Sequence, residues 1–346
     1  MNFKAAVLTR VNKPLQILED LKFSKLKRGQ VLVKVLHSAI CRSQIMEIEG
    51  KRGNDKYIPH LLGHEGAGIV EKIGHGVTKV FPGDKVFLSW IKGKGINSGG
   101  IKIKRKKKVI NAGPITTFSN YSVISENRCF KIPKGFPIKK SVIFGCAVPT
   151  GAGIILNEIK PSQKNSICII GLGGVGLSAL MACKMLKLKN VLVIDVDNKK
   201  INIAKKLGYK KSILLKKNET VKSKIFKYTG GKYFDYTIES SGKSKSIEFA
   251  FSITRKFGGK CFFASHPEEN SNIKLKPFDL ISGKHIHGSW GGSSDPQKIA
   301  NIMSNFFIKN KKFLNLYFSK EYKLNNINVA IKDFKHKSVV KLIINN

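Results

Sequence analysis

The segment Gly171-Leu172-Gly173-Gly174-Val175-Gly176 constrains this chain most. It follows a continuous apolar run at 166–170 and opens a helical stretch at about 175–188. Strand, glycine turn and helix in that order form the first half of a βαβ unit. A strand that is apolar throughout belongs in a parallel sheet covered on both faces. Each glycine has a separate physical task. Gly171 permits the tight turn, Gly173 lets the backbone approach a pyrophosphate, and Gly176 lets helix and strand pack closely. The helix start at Gly174 and Val175 then presents unpaired N–H groups and a positive dipole end to phosphates. Asp195 closes the next apolar run, at 191–195. There it accepts hydrogen bonds from ribose hydroxyls and repels a 2′-phosphate, so the expected cofactor is NAD rather than NADP. Lys200 is a further candidate to contact the same ribose.

Further apolar runs at 234–239 and 259–264 extend the sheet. Before residue 150 the rhythm is different. Short β-like runs at 31–35 and 68–73 alternate with turns at 74–76 and 82–84, which predicts a β-rich, barrel-like domain. A helix after about 293 crosses back, and the apolar tail at 338–344 supplies a strand to the first domain. The expected fold is α/β, with a β-rich domain at 1–150 completed by about 293–346 and a doubly wound cofactor domain at 151–292.

The 346-residue chain carries 63 Lys and Arg against 22 Asp and Glu, a formal charge of +41. Only seven of the basic residues are Arg. Base-edge readout favours Arg forks, so diffuse Lys gives solubility and weak polyanion attraction, and no specific nucleic acid is expected. The run Lys102-Ile103-Lys104-Arg105-Lys106-Lys107-Lys108 reads as a solvated loop with the density of an anion patch. Cys168, Cys183 and Cys261 sit in apolar runs and read as small buried hydrophobes. No stretch has the length of a membrane span, and the first residues turn polar too quickly for a secretory signal. The expected location is the cytoplasm, without a disulfide framework.

A second constellation lies in the β-rich part. Gly63-His64-Glu65-Gly66-Ala67-Gly68 follows Cys41, and Cys146 comes later in Gly145-Cys146-Ala147-Val148-Pro149-Thr150-Gly151. Two thiols and an imidazole suit Zn²⁺ held by three protein ligands, with a fourth position for water or substrate. Such a site preceding a dinucleotide unit points to hydride transfer at an alcohol or carbonyl. His60 and His75 read as loop residues.

Over essentially its whole length the chain resembles the medium-chain, zinc-dependent alcohol dehydrogenases. The resemblance rests on the 63–68 motif, on Val77-x-x-Val80-x-x-Gly83-Asp84-Lys85-Val86, and on the block from Pro277-Phe278-Asp279-Leu280 to Gly288-Ser289-Trp290-Gly291-Gly292. That block is similar to the branch containing glutathione-dependent formaldehyde dehydrogenase. The resemblance implies a GroES-like catalytic domain and a Rossmann cofactor domain. It assigns Cys41, His64 and Cys146 to catalytic zinc and puts Glu65 behind the metal as an exchangeable ligand. It gives Arg42 to the cofactor pyrophosphate, Ser43 to the substrate proton, Thr150 to the nicotinamide and Trp90 to a pocket wall. It also implies a homodimer or homotetramer acting on a small alcohol or carbonyl substrate.

The chain departs from the family pattern at several positions. Gln44 replaces an Asp that hydrogen-bonds the ligand His, and its amide is still able to accept that bond. Met46 replaces a relay His. The phosphate-binding Arg near the C-terminus is absent, with Val340 and Lys341 in its place. No cysteine lies between 42 and 128, so a closed four-thiolate structural zinc is excluded and one zinc per chain is expected. The alternative substrate class is a sugar, polyol or nucleotide-linked sugar, motivated by the Lys-rich lobe.

Overall fold

The protein is described by a computed structural model covering residues 2–216, 221–336 and 338–346. It divides into two compact units, Met1–Pro149 with Asp295–Asn346, and Thr150–Ser294.

The first unit carries a closed barrel and a larger sheet. The barrel runs through Asn2–Leu8, Gln16–Lys22, Ile101–Arg105, Lys108–Ala112 and His60–Leu61. Phe3, Val7, Leu21, Ile103 and Ile110 are buried together in one apolar cluster. The run at 102–108 is therefore a hairpin rather than a loop. Its two strands pair antiparallel from Ile101↔Ala112 to Arg105↔Lys108. Period-two alternation explains this, because Ile103 and Ile110 point into the barrel while most of the lysines point out. In the second sheet Gln30–Ala39 is central. It pairs with Glu65–Ile73, with Tyr121–Ser125 and with the C-terminal strand Lys341–Asn345. The last of these pairings brings residues more than 300 positions apart side by side, as at Ile343↔Ala39.

The second unit is a six-stranded parallel sheet. Its spatial order is Ser212–Leu214, Val191–Asp195, Ile167–Ile170, Tyr236–Glu239, Lys260–Phe263, His285–Gly288. Numbered along the chain this is 3-2-1-4-5-6, the doubly wound order. All four residues of Ile167–Ile170 are buried, as a strand covered on both faces requires. The strand expected at 234–239 begins two residues later, at Tyr236. Phe234, 1% exposed, makes only an isolated bridge to Thr254 and serves the core instead.

Candidate active site

Three elements of the first unit deliver the thiols and the imidazole. Cys41 is the N-cap of the helix Arg42–Ile48. His64 sits in the turn before Glu65–Ile73, and Cys146 terminates the 3-10 helix Ile138–Gly145. Their ligand atoms all lie within 4.8 Å of one another. Glycine makes two of these approaches possible. Gly63 has φ +99°, and a Cβ there would lie 2.6 Å from Phe118 N. A Cβ on Gly145 would lie 2.6 Å from Glu65 Cβ. His64 Nε2 is buried without a hydrogen-bond partner, as suits an atom that coordinates a metal. The Cys41 thiol is held well below its ordinary range, first by a hydrogen bond with Cys146 and then by the Lys341 and His64 charges. Thiolate character at Cys41 is what a divalent cation needs. Two thiols and one imidazole closed into this space can hold Zn²⁺.

Glu65 is not part of this convergent set. Its Oε1 takes the ammonium of Lys341 in a fully buried ion pair, while its Oε2 is buried without a hydrogen-bond partner. Burial alone would lower the Lys341 pKa, but Glu65 and the Cys41 sulfur outweigh it and keep the ammonium charged. Lys341 is therefore committed to the floor of the metal site. It was hidden in the sequence as one more lysine in a Lys-rich chain. The available signal was its place inside the apolar run Val339-Val340-Lys341-Leu342-Ile343.

Gln44 also corrects an expectation. Its Oε1 accepts from the Cys41 backbone N–H at 2.9 Å, and its Nε2 is buried with no partner. The carbonyl is thus spent on a capping-box contact at the third helical position rather than on the ligand imidazole. Ser43 Oγ is buried with no partner, a hydroxyl available to a ligand. Arg42 is exposed and Met46 is buried. Trp90 packs against the cluster of Val31, Val33, Val70 and Leu88. His75 is exposed, whereas His60 lies buried in the strand His60–Leu61, because Asp55 and the Leu61 carbonyl take both of its ring nitrogens.

The second unit carries the glycine turn. Gly171 has φ +87°, a conformation that favours glycine. A Cβ on Gly176 would collide with Gly171 O and lie 2.5 Å from Ser240 Oγ. A Cβ on Gly173 would meet nothing within 4 Å. The turn is therefore tight where strand and helix pack and open where a ligand would approach. The helix Gly174–Met185 starts there, with Val175 in its first turn. Asp195 Oδ2 accepts from Leu172 N at 2.5 Å, and Oδ1 accepts from Asp197 N at 2.9 Å. A carboxylate has about four lone-pair sites, so these two bonds leave Asp195 with further acceptor capacity. Lys200 is half-buried in the helix Asn198–Lys206. Thr150 Oγ1 is buried with no partner.

Residues 27–134 match the family Alcohol dehydrogenase GroES-like domain, and residues 174–307 match Zinc-binding dehydrogenase. Alcohol dehydrogenase class-3 of Zea mays is 30% identical, over 96% of this chain and 93% of that protein. The chain belongs to the medium-chain, zinc-dependent alcohol dehydrogenases. The class-3 enzyme of Caenorhabditis elegans is 28% identical over 97% of the chain and 94% of its own length. Among solved structures, benzyl alcohol dehydrogenase from Acinetobacter calcoaceticus superposes with a TM-score of 0.88 at 25% identity. That match covers 100% of this chain and 99% of the other. The protein is thus an alcohol dehydrogenase with a GroES-like domain and a Rossmann-type domain.

Within this alcohol dehydrogenase the lobe without cysteines is organised by Glu126. Its Oε1 accepts from Thr78 N at 2.7 Å and Lys79 N at 3.0 Å, and its Oε2 accepts from Ile96 N at 2.8 Å. One buried carboxylate ties together segments that no local motif connects. Among the described residues no single helix is long and apolar enough to cross a membrane.

Proposed function

We propose that this alcohol dehydrogenase oxidises small primary alcohols with NAD, and reduces the matching aldehydes, at Cys41, His64 and Cys146. The observation that carries the reading is the convergence of those ligand atoms within 4.8 Å. Zinc held by these three residues would supply Lewis acidity that lowers the pKa of the substrate hydroxyl, and bound NAD would supply the hydride acceptor. Ser43 Oγ, buried and without a protein partner, takes the hydroxyl proton. With Met46 where a relay imidazole would stand, that proton leaves through ribose or water. The amides at the start of Gly174–Met185 bind the cofactor pyrophosphate, the group that the family resemblance also gives to Arg42. Asp195 holds the adenosine ribose, Lys200 flanks it, and Thr150 packs against the nicotinamide. The class-3 and benzyl alcohol relatives support primary alcohols over sugars or polyols.

We also infer self-association as a homodimer. His285–Gly288 is an edge strand, and the exposed Phe278 (66%), Ile281 (80%) and Trp290 (78%) flank it in sequence. A second copy pairing the same strand covers both the edge and the apolar side chains.

NADH absorbance followed over short alcohols, benzyl alcohol, S-hydroxymethylglutathione, polyols and sugar phosphates tests the reading. Primary alcohols with NAD are expected to react fastest, with a preference over NADP on the order of 100-fold that weakens in Asp195→Ala. Faster turnover of a polyol or sugar phosphate, or a wild-type preference for NADP, would refute it.

A further inference from the structure

Glu47, Asp55 and His60 form a second convergent set, with ligand atoms all within 4.8 Å of one another. In each residue one ligand atom faces the other two residues and the second is tied to a partner outside the set. His60 Nδ1 donates to Leu61 O at 2.9 Å, so in the neutral ring Nε2 carries the lone pair. That nitrogen is 2.8 Å from Asp55 Oδ2 and 4.0 Å from Glu47 Oε1. Asp55 Oδ1 accepts from Tyr57 N at 3.0 Å, and Glu47 Oε2 lies 3.7 Å from Arg52. A lone pair facing two carboxylates needs a positive charge among them. A carbonyl that orients the outer ring nitrogen is the usual support of a metal-binding imidazole. The side chains are only 8% (His60), 14% (Asp55) and 28% (Glu47) exposed.

We propose that Glu47, Asp55 and His60 bind a second divalent cation of the zinc type, outside the catalytic centre. One imidazole and two carboxylates suit Zn²⁺ at about 2.0–2.2 Å from each atom, with water completing the shell. Its place in the fold gives it a purpose. Glu47 is on the helix that Cys41 caps, and His60 is on the strand just before His64. The ion staples the segment that joins the first two catalytic ligands. It holds more weakly than a thiolate site, since oxygen donors are poorer zinc ligands than sulfur.

Zn²⁺ titration of the zinc-loaded enzyme by calorimetry tests the proposal, in wild type, His60→Gln and Asp55→Asn. Wild type is expected to bind one further equivalent. Each variant should weaken that equivalent at least about tenfold while keeping its alcohol dehydrogenase activity. Asp55→Asn preserves the acceptor for Tyr57 N–H, so it reads the site even if His60→Gln folds poorly. Cys146→Ala should retain the second equivalent, which separates it from the catalytic ion. No further equivalent in wild type, or unchanged binding in both variants, would show a simple imidazolium–carboxylate bridge and overturn the proposal.

Discussion

Ser43 and Gln44 are consecutive, and Ser43 Oγ and the Gln44 side chain are both buried, yet their polar atoms do opposite work. Gln44 Oε1 is spent on the Cys41 backbone, fixing the angle at which the thiol leaves the helix. Ser43 Oγ is kept without a protein partner. A buried hydroxyl left unmatched costs about 1–3 kcal/mol, a penalty that a bound substrate relieves. Ser43→Ala should therefore lower turnover by roughly 100-fold while zinc and NAD remain bound. Steady-state rates beside metal analysis decide this, and wild-type turnover in the variant would remove Ser43 from the proton path. Residue chemistry of this kind was partly legible in the sequence. The thiols and His64 announce themselves by type and the glycines by spacing. Lys341 did not, because its partner Glu65 is 276 residues away and nothing local marks the pairing.

At the scale of elements, the lobe between Trp90 and Phe118 shows how a thiol-free segment is held. The hairpin of Ile101–Arg105 and Lys108–Ala112 closes a barrel and buries Ile103 and Ile110. Glu126 anchors the neighbouring loops through three backbone amides. Burial alone would raise its pKa, but those N–H donors win and the folded value lies below the ordinary one. A depressed folded pKa gives stability that is present above the unfolded value of about 4.3 and is lost as pH falls through the folded value. Glu126→Ala should cost about 3 kcal/mol at neutral pH by leaving buried amides unpaired. The wild-type advantage over the variant should shrink below about pH 4. Urea denaturation of both proteins at several pH values measures this, and a pH-independent difference would show that the carboxylate charge is not what matters. The barrel and the parallel sheet could be read from apolar periodicity. The 102–108 hairpin was masked by lysine, whose outward positions obscure the two-residue alternation.

At the scale of the whole molecule, the charge of +41 is carried almost wholly by lysines, and the exposed residues Phe278, Leu280, Ile281 and Trp290 flank the edge strand His285–Gly288 in sequence. Replacing Ile281 and Phe278 with Lys should convert the homodimer we infer to monomer without unfolding the sheet, since both side chains are exposed. Light scattering after size exclusion reads the mass directly, and a wild-type monomer would contradict the pairing. The central claim is that Cys41, His64 and Cys146 hold the ion on which the reaction depends. Zinc and activity measured together on dialysed wild type and Cys146→Ala test it most directly. About one zinc retained per wild-type chain, and its loss together with alcohol oxidation in the variant, is the predicted result. A Cys146→Ala enzyme that keeps both its zinc and its turnover would contradict the account.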